Sequence, residues 1–499
     1  MKKFRFEVLI FTVEFVYMVL ELVASRILSP YFGNSNLVWT VVIGIILLSG
    51  SVGNFLGGKV ADKDNKEHHL KLILLCISGA ILFTAIVHKD WVALVSMIIP
   101  STSIGSILIT ILLFFIPSLF MGFISPIVLK LKLENIEVAG RTAGRLNAIA
   151  TIGGITGTFV GGFLLIPNIV SSYILYMLVI ILVCLVPLVD LKLKSWTNIV
   201  VSLLLVSSIV LLSVNISINE QNAERIRNGE IGCVFTYDTE YGYVQIYNEN
   251  EGINQIRVLQ VGNGYESATY TDYSRRYELV FDYVKSYDIM FESGLDINST
   301  LMIGGAGYSY PKYFISNHID KSMDVVEIDG QVTNLAKEYF YLDTLIEEFD
   351  LDQTKRLNLI TEDGRVYLNK NQKKYDAILN DAFSGAEPVA TLTTIEAIKH
   401  IKRSLNVGGM YMSNIIGAAE GSYSGFLKAE INTLHKVFKN VYIFQCQNDR
   451  TLDQIQNFMV VATDMDYDYE TNIDITISDN ELVLTDAFCP VEQLSYYSK

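Results

Sequence analysis

The chain has 499 residues, 51% of them apolar, with a mean hydropathy of +0.34 and a formal net charge of −15. That apolarity excludes one ordinary soluble domain, and the length leaves room for two or three domains. The acidic balance excludes a nucleic-acid binder, because counterion release needs basic residues facing phosphates. The two charge signs are unevenly spread. Up to Ser217 there are 15 Lys/Arg against 10 Asp/Glu, and the remainder carries 23 against 43. Met1 to Phe6 is basic and leads directly into an apolar stretch. No small-residue cleavage site follows, which predicts a first membrane span and not a signal peptide.

Apolar stretches near the roughly 20 residues that a span needs lie at Val8–Leu28, Val38–Leu56, Leu70–Val87, Ile104–Leu129, Leu146–Ile166, Tyr173–Val189 and Ile199–Val214. Seven spans are expected. Trp91–Ser103 is apolar but short, and it reads as an extension of the fourth helix or as a re-entrant segment. The basic segments Met1–Arg5, Lys59–Lys71, Lys130–Arg145 and Lys192–Lys194 fall on one side if the N-terminus is cytoplasmic. The pattern G-x-x-G-x-x-x-G-G occurs at Gly50, Gly53, Gly57 and Gly58 and again at Gly154, Gly157, Gly161 and Gly162. A Ser-Pro precedes each copy, Ser29-Pro30 and Ser125-Pro126. Small residues at this spacing let helix backbones approach closely, and internal repeats are common in transporters. Glu14 and Glu21 share one face of the first span. They read either as a cation path or as partners of Arg26 or Arg145.

Five cysteines, Cys76, Cys184, Cys233, Cys446 and Cys489, make neither a zinc pattern nor a disulfide framework, and no metal is expected. Val234–Tyr237, Gly242–Tyr247 and Ile256–Gln260 read as short strands, with Gly262-Asn263-Gly264 as a turn. Beyond them strands and helices alternate. Thr300–Gly304 is a strand ending in Gly304-Gly305-Ala306-Gly307, followed by a helix over Tyr310–Asn317. Asp324–Asp329, Leu357–Ile360 and Asp376–Leu379 are strands, the last two ending at Glu362-Asp363-Gly364 and Asn380-Asp381. A helix over Leu392–Leu405, a strand over Met410–Ile415, a helix over Tyr423–Phe438 and strands over Val441–Gln445 and Phe458–Ala462 complete the pattern. The expected architecture is a helical membrane domain (1–217), a small β-rich subdomain (218–285) and a Rossmann-like α/β domain with a parallel doubly wound sheet (286–499). A ligand belongs at the carboxyl ends of such strands. Glycines there admit a ligand close to the backbone. Glu327, 20 residues beyond Gly307, stands where a carboxylate accepts ribose hydroxyls.

LMIGGAG, VVEID, EDGRVYL, YDAILNDAFSGAEP and TLTTIEAIKHIKRSLNVGG together resemble spermidine synthase and its membrane-fused relatives, which share a class I methyltransferase-like fold. ELVASRILSPYFGNSNLVW and GGKVADK resemble the multi-span part of those relatives. The resemblance implies an aminopropyltransferase with decarboxylated S-adenosylmethionine (or S-adenosylmethionine) as co-substrate and no tightly bound cofactor. Its partners would be a small-molecule amine or another acceptor, the lipid bilayer and a second copy in a homodimer. By the same resemblance Glu327 would hold the ribose and Asp363, with Gly364 behind it, the adenine amino group. Gly304, Gly305 and Gly307 would line the sulfonium side, and Asp381 would be catalytic. Soluble synthases carry G-G-G-D-G-G and D-S-S-D-P-x-G-P. Here the two later acid positions are Gly307 and Ser384, and Glu387 or Tyr308 could compensate. Two alternatives stay open: methyl transfer from S-adenosylmethionine, and a nucleoside- or polyamine-binding transporter or sensor without turnover. The expected place is a multi-pass position in the cell membrane. Positive-inside counting puts the second part outside, a cytosolic donor puts it inside, and the side stays open.

Overall fold

A computed structural model describes residues 4–33, 36–63, 66–99, 101–133, 139–189, 195–262, 264–384, 387–447, 449–469, 473–478 and 481–495. The chain divides into two compact units. One is Met1–Arg225 with Val234–Gln245 and Val261–Asn263, and the other is Ile226–Cys233 with Ile246–Gln260 and Gly264–Lys499.

Among the described residues the first unit contains eight α-helices: α1 (Arg5–Phe32), α2 (Asn36–Ala61), α3 (Lys66–Ile98), α4 (Thr102–Gly122), α5 (Ile124–Lys132), α6 (Ala139–Val160), α7 (Ser171–Val189) and α8 (Ser195–Arg227). With α4 and α5 taken as one segment, seven helical stretches among the described residues are long and apolar enough to cross a membrane. Trp91–Ile98 extends the third helix and not the fourth, and α4 begins only at Thr102. No break falls before Ile98 because Trp91–Ile98 contains neither Pro nor Gly. The eighth helix carries on through Ser217 to Arg227.

Both glycine copies serve close packing. A Cβ on Gly57 would sit 2.6 Å from Phe123 Cα, and one on Gly53 would strike the Leu119 carbonyl. In the second copy a Cβ on Gly157 would strike the backbone of Phe15 in α1. The described basic segments are tied down at one end of the bundle. Arg5 pairs with Glu67 at 2.5 Å, Lys130 with Asp62 at 2.9 Å, and Lys132 and Arg145 with Glu7 at 3.0 and 3.5 Å. Lys192–Lys194 lie outside the described residues. Arg145 is therefore taken by Glu7, and Arg26 donates to the Glu240 carbonyl. Arg145 is thus engaged away from Glu14 and Glu21.

Four strands, β1 (Val234–Asp238), β2 (Tyr243–Glu251), β3 (Asn254–Val261) and β4 (Gly264–Tyr270), pair in chain order. The last of them follows directly from the glycine turn, where no strand was expected. The larger sheet contains β5 (Ser299–Ile303), β6 (Ser322–Glu327), β7 (Leu357–Thr361), β8 (Tyr375–Asn380), β11 (Leu405–Gly417), β12 (Asn440–Gln445) and β13 (Gln456–Thr463), in the order β12-β13-β11-β8-β5-β6-β7. A two-residue hairpin, β9 (Phe383–Ser384) with β10 (Glu387–Pro388), leaves the main sheet. Strands β5 to β8 and β11 run parallel. The sheet is not parallel throughout, because β13 is antiparallel to both β11 and β12. Among the described residues no helix lies between β12 and β13, and a return without a crossover pairs antiparallel. The central strands are apolar on both faces. Leu301 and Ile303 enter one core and Met302 the other, as the two-residue period of a strand requires.

Helix Gly425–His435 covers one face and carries Glu430, which is wholly buried with neither carboxyl oxygen hydrogen-bonded among the described residues. Burial holds that carboxyl well above its ordinary value of 4.5. The unfolded chain ionises it above that value while the fold keeps it protonated, so the group costs stability as pH rises beyond it. Glu430→Gln is expected to raise the melting temperature of the purified protein more at pH 8 than at pH 5. An equal shift at both pH values, measured calorimetrically, contradicts this account.

Candidate active site

The carboxyl ends of β8, β5, β6 and β7 lie side by side and carry Asp381, the Gly304–Gly307 turn, Glu327 and Asp363. Gly304 donates its N–H to the Val326 carbonyl at 2.9 Å, and Asp381 donates its own to Ile303 at 2.9 Å. The turn is thus pinned between its two neighbouring strands, at the point where strand order reverses. Gly304 has φ +93°, and a Cβ there would strike the Asp381 carbonyl. Only glycine meets both demands. Gly305 lies over the Tyr308 ring, and Tyr308 is buried with its hydroxyl 2.9 Å from that of Thr333.

Glu327 ends β6 and is buried. Its Oε2 accepts N–H bonds from Gly305 at 2.8 Å and Ala306 at 3.0 Å, and its Oε1 accepts one from Asp329 at 2.9 Å. Burial raises its pKa, and these three bonds pull it back. Each oxygen keeps further lone-pair capacity for a ligand hydroxyl. Asp363 is half-buried and caps helix Gly364–Lys370 by accepting the Val366 N–H at 2.9 Å. Its second oxygen has no hydrogen bond among the described residues. Gly364 opens the same helix against Ile303.

Asp381 is half-buried, and its Oδ1 accepts from the Asn414 amide at 2.9 Å. Burial pushes its pKa up to about 6, against the opposing pull of Asn414, Tyr287 and Tyr283. The side chains of Ser384 and Glu387 lie outside the described residues.

One acid here is absent from the sequence expectations. Glu266, on β4, stands close enough to Asp381 and Glu327 for their charges to raise its carboxyl, after burial, well above the usual range. Its Oε1 is shielded and without a hydrogen bond among the described residues. Strand β4 reaches the turn through two bonds. Ser267 Oγ accepts the Gly307 N–H at 2.9 Å, and Ser309 donates to the Ala268 carbonyl at 3.1 Å. The sequence signal was the polar run after Gly264, which carries no recognised motif. The same contact explains Gly307. A Cβ at that position would lie 2.6 Å from Ser267 Cβ, so the space that an aspartate would need is taken.

Gly307→Asp is therefore expected to cost about 1–3 kcal/mol of stability through overpacking, read as a lowered melting temperature. Ser267→Gly in the same chain should recover part of that loss. An undiminished melting temperature for the single variant contradicts the assignment of the space to Ser267.

Residues 296–470 match the spermine/spermidine synthase domain. The chain is 32% identical over 148 residues to a polyamine aminopropyltransferase of Vibrio vulnificus, covering 29% of this chain and 45% of the relative. It is 29% identical to that of Thermoplasma volcanium, covering 29% and 50%. It is 25% identical to that of Thermococcus kodakarensis, covering 42% and 69%. The chain spans about half the length of the first two. Among solved structures, a probable spermidine synthase from Corynebacterium glutamicum superposes with a TM-score of 0.39 at 20% identity, over 46% of this chain and 80% of that one. The Gly304–Gly307 turn, Glu327, Asp363 and Asp381 thus all lie in the stretch 296–470 that matches the spermine/spermidine synthase domain, and the same chain carries a bundle of long apolar helices.

Proposed function

We propose that this protein is a multi-pass membrane enzyme of the polyamine aminopropyltransferase type. It would take decarboxylated S-adenosylmethionine as donor and a small amine as acceptor, and release methylthioadenosine. The observation that carries the reading is the convergence of Glu266, Asp381 and Glu327 about one glycine turn, with no Lys or Arg paired to any of them among the described residues. Buried carboxyls without a cation are costly, and a cationic ligand relieves that cost. A sulfonium nucleoside bearing an aminopropyl ammonium, together with an amine acceptor, supplies such charge. The match to aminopropyltransferases supports the same class. Seven apolar helices support the multi-pass place.

In this reading Glu327 takes the ribose hydroxyls with its remaining lone pairs, and Asp363 takes the adenine amino group with its free oxygen. The acceptor's uncharged nitrogen attacks the methylene beside the sulfonium. The carbon–sulfur bond breaks, its electron pair goes to sulfur, and a neutral thioether leaves. Asp381 accepts the proton that the new ammonium sheds, a task suited to a carboxyl near 6. Glu266 holds an ammonium group. It offers the charge that Gly307 cannot and that Ser384 does not.

Purified full-length protein is expected to form methylthioadenosine from the decarboxylated donor and a panel of linear amines, read by mass spectrometry. Its kcat/KM should rise with pH through about 6, because Asp381 must be ionised to take the proton. Asp381→Asn should remove that limb along with most of the activity. Formation of S-adenosylhomocysteine in place of methylthioadenosine would assign methyl transfer, and binding without either product would assign a sensor.

A further inference from the structure

A cavity of about 240 Å³ lies within the helical unit, at the end of α1 opposite to Arg5. Five elements wall it: α1 with Arg26, α3 with His88 and Lys89, α7 with Ser171 and Ser172, β1 with Asp238, and β2 with Tyr243 and Gln245. None of these residues belongs to the transferase site.

Asp238 is 2% exposed. Its Oδ2 accepts the amide N–H of Ser171 in the first turn of α7. Its Oδ1 is shielded from solvent and has no hydrogen bond among the described residues, and the Ser171 hydroxyl is in the same condition. A native fold leaves few buried polar atoms unsatisfied, and each needs a reason. Arg26 and Lys89 are near enough to counter, in part, the rise that burial imposes on the Asp238 carboxyl. Lys89 forms no ion pair with it and has no hydrogen bond among the described residues. Arg26 gives a guanidinium N–H to the Glu240 carbonyl and stays cationic.

His88 does not compete for a ligand. Its Nδ1 faces the carbonyls of Thr84 at 3.2 Å and Ala85 at 3.0 Å, so that nitrogen carries the hydrogen. Its Nε2 then accepts the Ser172 hydroxyl at 3.0 Å. The ring is neutral and satisfied, and it forms wall.

Among the described residues the cavity thus presents the Asp238 Oδ1, the Ser171 hydroxyl and the Lys89 ammonium, none of them hydrogen-bonded. A simple cation would meet Lys89 and Arg26. A simple anion would meet Asp238. A molecule with both charges a few ångströms apart meets neither difficulty, and the volume suits one the size of an amino acid. We propose that this cavity binds a small zwitterion, with its ammonium on Asp238 Oδ1 and its carboxylate or phosphate on Lys89 and the Ser171 hydroxyl. A free amino acid and the ethanolamine-phosphate head of a lipid share this chemistry.

The test is calorimetric titration of the full-length protein in nanodiscs of phosphatidylcholine. The probes are L-alanine and ethanolamine phosphate as zwitterions, putrescine as a cation and succinate as an anion. At least one zwitterion is expected to bind at least tenfold more tightly than either control, unaffected by saturating methylthioadenosine. Asp238→Asn and Lys89→Gln should each weaken it at least tenfold, and Ser171→Ala several-fold, at unchanged melting temperature. Should Asp238→Asn fail to fold, Lys89→Gln at the exposed rim carries the same test. Loss of ethanolamine-phosphate binding in nanodiscs containing phosphatidylethanolamine identifies a lipid head, and retention identifies a soluble zwitterion; either outcome upholds the site. Putrescine or succinate binding as tightly as the zwitterions, competition by methylthioadenosine, or folded variants with full affinity would overturn the proposal.

Discussion

Three backbone N–H groups converge on the Glu327 carboxylate, from Gly305, Ala306 and Asp329. Those bonds fix the path of the chain from β5 into the helix that follows. They hold Ala306 and Tyr308 at positive φ, a conformation costly for residues with a Cβ. They also fix where the other acids stand. With the turn locked, Asp381 is set by its bond to Ile303, and β4 is set by the bond from Gly307 to Ser267. The carboxyl at the end of β6 thus organises the turn.

The same packing accounts for the departure from soluble synthases at Gly307. The acid missing at Gly307 is missing because Ser267 occupies its space. Glu266, next to that serine on β4, brings a carboxyl back toward Asp381 and Glu327 from a different strand. A carboxyl thus stands on the neighbouring strand and not on the turn. Asp381 and Glu327 add to burial in raising the affinity of Glu266 for a proton, and a carboxyl so placed is poised for a cation.

The features legible in the sequence were those with a period or a spacing. Apolar length gave the long helices, and the two glycine patterns gave close helix packing. The strand-end positions of Gly304, Glu327, Asp363 and Asp381 followed from the alternation of strands and helices. What sequence could not supply was set by tertiary contact. Strand β4 is short and polar, so its alternation was masked, and with it Glu266. The antiparallel course of β13 depends on a return without a helix, which the apolar run at Phe458–Ala462 does not encode. Trp91–Ile98 joined the third helix because nothing there breaks it, whereas its apolarity suits either neighbour. Arg145 looked available to Glu14 or Glu21, and only the folded bundle assigns it to Glu7.

The central claim is that the acids about the glycine turn select a cationic donor lacking a carboxylate. S-adenosylmethionine and its decarboxylated form differ by that one group, and the three acids would repel it. Calorimetric titration of the full-length protein with both sulfonium donors measures the selection directly. The decarboxylated donor is expected to bind at least tenfold more tightly, about 1.4 kcal/mol, and Glu266→Gln should narrow the gap. Equal or tighter binding of S-adenosylmethionine would contradict the account.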